Sequence, residues 1–209
     1  MCGRYYIAEE DSAEELHQII EEVQKNLNHG VPLKTHGEVF PSDVVPIRLH
    51  ASQEMRTIAA KWGFAFPGSS RLIINAKSET MSEKPMFRNA TPCAIPATNY
   101  FEWETVAVKP LEQMSFMPLP NTAKPTKLHK VKRAIRPSSA PEVFYIAGLL
   151  KSEPAAHTPV FTILTRPADP SLAHIHDRMP VILSADQIET WLVNGELVNE
   201  RMFMPMSFT

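Results

Sequence analysis

Cys2 is followed by Gly3 and Arg4 at the start of the chain. A side chain as small as cysteine lets the initiator methionine be trimmed, which leaves Cys2 with a free α-amine beside its own thiol. An α-amine titrates near about 8 and a lysine near about 10.4, so the Cys2 nitrogen is the best amine nucleophile the chain offers at neutral pH. Amines condense with aldehydes to give Schiff bases. The thiol of the same residue can then close onto the imine carbon as a five-membered thiazolidine, a step favoured by high effective molarity. Position alone fits an incidental cysteine in a terminus just as well.

Other residues could assist such chemistry. Glu102 and His176 can move protons, the histidine because it titrates at about 6.5. Taken singly, Glu102 reads as a surface acid, His176 as a packed or solvated histidine and Asn75 as a turn residue. The second cysteine, Cys93, lies between Pro92 and Ala94 and reads as a packing residue. Neither cysteine has metal-ligand spacing or a disulfide framework around it, so no metal or organic cofactor is expected.

The elements that must position these residues follow from the apolar spacing. Leu16, Ile19, Ile20 and Val23 predict a helix over 12–27, with Ser12 and Glu15 as a capping box and an acidic, solvated outer face. Residues 44–47, 56–60, 72–74, 93–96, 100–103, 143–150 and 160–165 read as strands, the third delivering Asn75 at its end, and 181–183 are an apolar run. Residues 64–70 read as a loop and 81–91 as a short helix and loop carrying Arg88. Within 100–103 the side chains alternate, so Phe101 and Trp103 would anchor the core while Tyr100, Glu102 and Glu104 face the other way, Glu102 into a cleft. Ser184 and Gln187 cap a helix through Asn194, and a shorter helix is expected near 196–202. Residues 105–142, rich in proline and basic side chains, read as a long excursion within one domain spanning 1–209. The fold class is α+β: a single domain with a β-rich, barrel-like core and a few peripheral helices.

Composition sets outer bounds. The chain has 209 residues, 44% hydrophobic and 21% charged, which suits a globular domain with a core of useful size. No apolar run approaches the roughly 20 residues of a membrane span, and the start lacks the pattern of a signal peptide, so a cytoplasmic location is expected. Net charge is −2, so any nucleic-acid partner must meet a local patch. Lys124 to Arg136 hold six Lys/Arg and one His with no acid, a run that is either solvated surface or a phosphate contact.

Several pieces occur in one order: Met1-Cys2-Gly3-Arg4, Trp62-Gly63, Asn75-Ala76-Lys77-Ser78-Glu79-Thr80, Ile95-Pro96 through Phe101-Glu102-Trp103, Ala147-Gly148-Leu149 and His176-Asp177-Arg178-Met179-Pro180. Together they resemble the SRAP family, the SOS response-associated peptidase domain, over about residues 2–193. The resemblance implies a β-rich α+β domain that recognises abasic sites in single-stranded DNA. It also implies a thiazolidine link from Cys2 to the ring-opened sugar, with possible weak lyase activity and self-catalysed removal of Met1.

By the same resemblance, Glu102 would sit beside the amine, His176 beside the sugar hydroxyl and Asn75 beside the adduct. Arg4 and Arg88 would contact DNA, and Trp62 would stack a base or pack in the core. Lys77 stands where the family usually has arginine, which loosens phosphate geometry because lysine lacks the bidentate fork. The usual Gly-Phe-Tyr-Glu-Trp is here Asn99-Tyr100-Phe101-Glu102-Trp103, and the second tryptophan common after Trp-Gly is absent from Phe64-Ala65-Phe66-Pro67. Two other functions stay open: an N-terminal-cysteine hydrolase acting on an amide, and a non-catalytic single-strand-binding module.

Overall fold

Short runs of β-branched and aromatic residues broken by Pro, Gly and polar clusters give a chain made mostly of strands. A computed structural model describes residues 2–9, 13–27, 31–108, 127–138, 142–152, 158–197 and 206–209. The elements are β1 (Tyr5–Ile7), α1 (Glu14–Asn26), β2 (Gly37–Val39), β3 (Val44–Ala51), β4 (Glu54–Trp62), β5 (Phe64–Ala65), β6 (Leu72–Ile73) and β7 (Asn75–Lys77). They continue with β8 (Thr91–Ala97), β9 (Asn99–Val108), β10 (Lys127–Pro137), β11 (Phe144–Lys151), β12 (Val160–Pro167), β13 (Arg178–Pro180), β14 (Ile182–Leu183), α2 (Ala185–Asn194) and β15 (Met206–Phe208).

One sheet runs β13-β12-β4-β3-β8-β11-β14, with β7 paired to β12. Because β11 also pairs with β12, the strands β12, β4, β3, β8 and β11 close into a ring, the barrel-like core the sequence predicts. The tight turn joining β3 to β4 places Ser52 and Gln53 at φ of 53° and 66°, the pair of positive values that a two-residue hairpin turn requires. Gly148 of β11 explains the Ala-Gly-Leu motif. A Cβ there would lie 2.5 Å from Ile95 Cδ1 and 2.8 Å from the Thr162 carbonyl oxygen, so the ring has no room for a side chain. A second sheet, ordered β15-β10-β9-β1-β2, carries the N-terminal strand.

Trp62 is fully buried, tilted against Tyr5 at 5.4 Å and stacked on Phe161 at 6.3 Å, with its indole N–H donating to the Ile74 carbonyl. It is a core residue and has no face open to a nucleobase, which corrects its expected place among the DNA contacts. Cys93 is buried in the same cluster, as its apolar neighbours imply.

Four expectations about elements change. The described parts of the excursion pair as strands: β9 extends to Val108 and pairs with β10 from Lys127↔Val108 to Ile135↔Tyr100, while residues 109–126 and 139–141 lie outside the described residues. Alternation in β10 is hidden because charged residues occupy exposed positions of a strand with solvent beside it. Phe64–Ala65, expected within a loop, pairs as a strand with Leu72–Ile73 of the strand expected over 72–74. Two 3-10 helices, Ser78–Glu83 and Pro85–Phe87, stand where a short helix and loop were expected over 81–91, beginning earlier and wound more tightly.

Fourth, the cap and face of α1 differ. Ala13 is its N-cap, without a side-chain cap bond, and Ser12 lies outside the described residues. Glu15 is instead claimed by the Tyr145 hydroxyl at 2.6 Å, and Glu22 accepts from the Thr57 amide and hydroxyl at 2.8 and 2.6 Å. Those two carboxylates therefore dock the helix onto the sheet and do not simply face solvent. At the other end of the chain, α2 starts at the expected Ser184–Gln187 capping box and stops at Gly195, φ 69°. Glu196 and Leu197 are not helical, and the remainder of the helix expected near 196–202 lies outside the described residues.

Candidate functional site

The N-terminal segment ends against the barrel. Cys2 is fully buried in the main core cluster, and its thiol lies 3.6 Å from the Arg4 carbonyl. The Arg4 carbonyl also accepts from the Phe101 amide, at 2.9 Å, which ties the start of the chain to β9. Burial, then the nearby Glu102 charge, push the Cys2 thiol up to about 12, so it is neutral at physiological pH.

Asn75 arrives by a different route. It opens β7, opposite Ile163 in a parallel ladder with β12, just after Ile74, whose carbonyl is held by Trp62. Its amide nitrogen donates to the Cys2 carbonyl at 2.8 Å. Its side-chain oxygen is buried without a hydrogen-bond partner among the described residues, an acceptor still available to a ligand.

Glu102 is 5% exposed. Burial raises its pKa, opposed by the positive charge of the chain's N-terminus and by His176, with Asp177 acting in the raising direction. Arg133 lies directly across the β9–β10 ladder, but its guanidinium binds Glu104 at 2.7 Å, so its charge is spent one position away. Glu102 is thus a carboxyl whose proton is held more tightly than usual beside the N-terminus, which suits a group that takes up and returns protons.

His176 closes a loop whose backbone is fixed by Ala168 N–H to the Asp177 carbonyl at 2.9 Å and His176 N–H to the Leu172 carbonyl at 3.1 Å. Its Nδ1 accepts from the Arg178 amide at 3.0 Å and also lies 2.8 Å from the Asp177 carboxylate. These two contacts require opposite protonation of Nδ1. A neutral ring with its proton on Nε2 accepts from the amide, whereas a ring protonated at Nδ1, neutral or charged, donates to the Asp177 carboxylate, itself 84% exposed. Arg178 in turn forks onto Glu79 at 2.6 and 2.9 Å and donates to the Thr165 carbonyl at 2.6 Å, bracing the loop end.

Cys2, Asn75, Glu102 and His176 therefore converge, joined by the hydrogen bond from Asn75 to Cys2 and by mutual charge effects. Lys77 is exposed at the end of β7, two residues beyond Asn75, and helps hold Glu79 ionised behind Arg178. Arg88 is exposed after the 3-10 turn of Phe87, which packs in a second core cluster with Trp191 and Leu149, separate from the cluster of Cys2. Arg4 lies on the outer face of the β1–β9 sheet, its guanidinium 4.4 Å from the Phe40 ring and 5.0 Å from the Trp103 ring.

The alternation expected around Glu102 is observed, with the faces exchanged. Tyr100 packs in the core cluster, whereas Phe101 and Trp103 lie outside it and meet cations. Tyr5 and Tyr100 are site neighbours that sequence reasoning missed. Both hydroxyls are buried without a partner among the described residues, and in both burial and then the Cys2 charge raise the phenol pKa. The signal was present in the parity of Tyr100 with Glu102. No group of three or more His, Cys, Asp or Glu side chains among the described residues is arranged to hold a metal, and no described helix is long and apolar enough to cross a membrane.

Known proteins resemble this chain throughout its length. The family description "SOS response associated peptidase (SRAP)" matches residues 1–206. Abasic site processing protein YoqW of Bacillus subtilis (strain 168) is 30% identical over 209 residues, covering 92% of this chain and 80% of that protein. Abasic site processing protein YedK of Escherichia coli (strain K12) is 24% identical over 210 residues, covering 96% of this chain and 84% of that protein. Among solved structures, a phage-related protein from Bordetella bronchiseptica superposes with a TM-score of 0.66 at 21% identity, covering 100% of this chain and 93% of the other. A protein from Bacteroides thetaiotaomicron superposes at 0.67 with 20% identity, covering 99% and 90%. At those identities the two structures speak for the fold alone.

Proposed function

This chain belongs to the SOS response associated peptidase family, and from that premise we propose that it processes abasic sites in single-stranded DNA through a covalent link to Cys2. The α-amine of Cys2, freed by removal of Met1, attacks the C1′ aldehyde of the ring-opened sugar. Loss of water gives an imine. The thiol then adds to the same carbon, its proton passing to the nitrogen, and the thiazolidine is complete. Relative to free protein and DNA the adduct has lost one water.

The observation that carries this reading is the setting of Cys2. Its thiol is held neutral by burial and by Glu102, while its carbonyl is fixed by Asn75. A neutral thiol suits an amine-first sequence, in which sulfur attacks only an activated imine carbon and delivers its own proton. A hydrolase that uses cysteine as the leading nucleophile needs the opposite shift, toward thiolate. Glu102 relays protons during carbinolamine loss, and His176 promotes opening of the closed sugar. Asn75 Oδ1 is the acceptor for the sugar or the adduct nitrogen. The imine stage also allows the 3′ phosphate to leave by β-elimination, a minor lyase activity.

The test mixes Met1-trimmed protein with a single-stranded oligonucleotide carrying one abasic site, followed by denaturing electrophoresis and intact mass. The expected product is a heat-stable band whose mass is the sum of the partners less one water. Intact abasic DNA recovered from fully trimmed protein would sink the covalent reading and leave a binding module. Turnover of an amide substrate without adduct would favour the hydrolase.

A further inference from the structure

The outer face of β9 carries a cluster that the chemistry at Cys2 does not use. Glu38 of β2 accepts from Arg4 at 3.2 Å and from Lys132 of β10 through its other oxygen. One carboxylate thus gathers two cations from distant parts of the chain, and both hold its pKa down, Lys132 most strongly.

An ordinary surface pair keeps its cation in place only through the carboxylate, and such pairs contribute little. Here each cation has a second holder. Arg4 stacks on Phe40 and Trp103, and the Lys132 ammonium sits 3.9 Å over the Phe101 ring. Rings attract cations through their faces whether or not Glu38 is present. The two cations therefore converge on one carboxylate-sized point, each bound to a different oxygen of the same group. Glu38 occupies it.

We propose that Arg4 and Lys132 form a seat for a backbone phosphate of the DNA strand, and that Glu38 is its internal competitor and a specificity-determining residue. The inference rests on the proposed function in taking DNA as the ligand. The seat adjoins the reactive end: Arg4 is two residues from Cys2, and its carbonyl is bound to the amide of Phe101, next to Glu102. With Glu38 in place, an intact strand must displace a carboxylate for each phosphate seated, so undamaged DNA is held weakly. A strand anchored at an abasic sugar presents its neighbouring phosphate at high local concentration and wins the exchange.

The experiment is fluorescence anisotropy of an intact single-stranded oligonucleotide, across a salt series, with wild-type protein, Glu38→Gln and Glu38→Gln/Lys132→Gln. Glutamine keeps shape and removes the competing charge. Glu38→Gln is expected to bind intact strand roughly threefold to tenfold more tightly, with a log-log salt slope steeper by about 0.7 for the added phosphate contact. The double variant is expected to lose that gain. Equal affinity and slope in wild type and Glu38→Gln, or a gain that survives Lys132→Gln, would overturn the seat. Crosslinking to an abasic strand is scored separately on denaturing gels. Loss of the covalent band with the Glu38→Gln gain intact would remove the proposed function and leave the seat; the reverse pattern would do the opposite.

Discussion

Cys2 and Cys93 offer a comparison that the protein makes by itself. Both are completely buried and both belong to the same core cluster. Burial pushes both thiols well above their usual range. For Cys93 burial is the one cause that raises the thiol, which lies opposite Gly148 across β8 and β11, and its carbonyl is taken by the Trp191 indole at 2.9 Å. Around Cys2 stand the Glu102 carboxyl, the Asn75 amide with a spare acceptor, and the hydroxyls of Tyr5 and Tyr100. Burial therefore does not distinguish a packing thiol from a working one. What distinguishes them is the polar company, and polar groups inside a core are costly unless something uses them.

The largest effect should come from removing the Cys2 sulfur. Cys2→Ala keeps the N-terminal amine but has no thiol to close the ring, so the heat-stable adduct should vanish, a loss beyond about a thousandfold in accumulated product. Imine-dependent strand cleavage at the abasic site should persist in that variant, read as a shorter oligonucleotide on the same gel. If Cys2→Ala still forms the heat-stable adduct, the thiol has no special place and the comparison with Cys93 collapses.

Glu102 comes next. Glu102→Gln should slow crosslinking by about a hundredfold, the usual scale for a lost proton-transfer group. Its stability should move the other way. Burial raises the Glu102 pKa above its unfolded value, so the fold favours the protonated form. That contribution is present below the unfolded pKa and is lost as pH rises through the folded one. At pH 7 the buried charge is a cost, and Glu102→Gln should melt at a higher temperature than wild type. The acid limb of the crosslinking rate should correspondingly lie above the ordinary glutamate value of about 4.3. A limb at or below that value would detach Glu102 from the reaction.

His176→Asn should have a smaller effect, roughly tenfold, confined to the closed hemiacetal form of the sugar. Asparagine can still accept from the Arg178 amide that now meets Nδ1 at 3.0 Å, so the loop should be kept. A substrate that is already an open-chain aldehyde should react with this variant at nearly the wild-type rate. Equal slowing on both substrates would move His176 from ring opening to a later step.

How much of this was legible beforehand depended on range. Strand positions and the α2 cap follow local rules of period and capping, and Ser184 with Gln187 is both the sequence signature and the observed cap. The four residues around the thiol could be gathered only because their motifs occur together, since Cys2 and Asn75 are 73 positions apart and nothing in periodicity joins them. The face exchange at Glu102 was not legible, because alternation tells which side chains go together and leaves open which side is the core. Trp62 likewise reads as an aromatic in either role until Tyr5, Phe161 and the Ile74 carbonyl close around it. Glu38 gave no signal at all: its partners stand 34 positions before it in Arg4 and 94 beyond it in Lys132.

Cys93→Ala should have the smallest effect on chemistry, with crosslinking within about twofold of wild type. Truncating a buried sulfur leaves a small cavity, and a loss of about 1–2 kcal/mol is the expected scale. Because Gly148 has no Cβ beside Cys93, the sulfur fills space that alanine cannot, and Gly148→Ala would not compensate, since its Cβ would lie 2.5 Å from Ile95 Cδ1. The pH dependence sharpens the comparison. An unfolded thiol ionises near about 8.5, whereas both folded thiols hold their protons to much higher pH, so each makes stability fall as pH rises beyond about 8.5. Cys93→Ala and Cys2→Ala should each flatten that alkaline decline by a similar amount, up to about 1.4 kcal/mol per pH unit, measured as the difference from wild type in urea melts. Matching slopes with opposite effects on crosslinking would separate the two roles of a buried thiol in one experiment; a Cys2→Ala slope equal to wild type would mean that Cys2 is not held neutral, and the amine-first sequence would lose its physical basis.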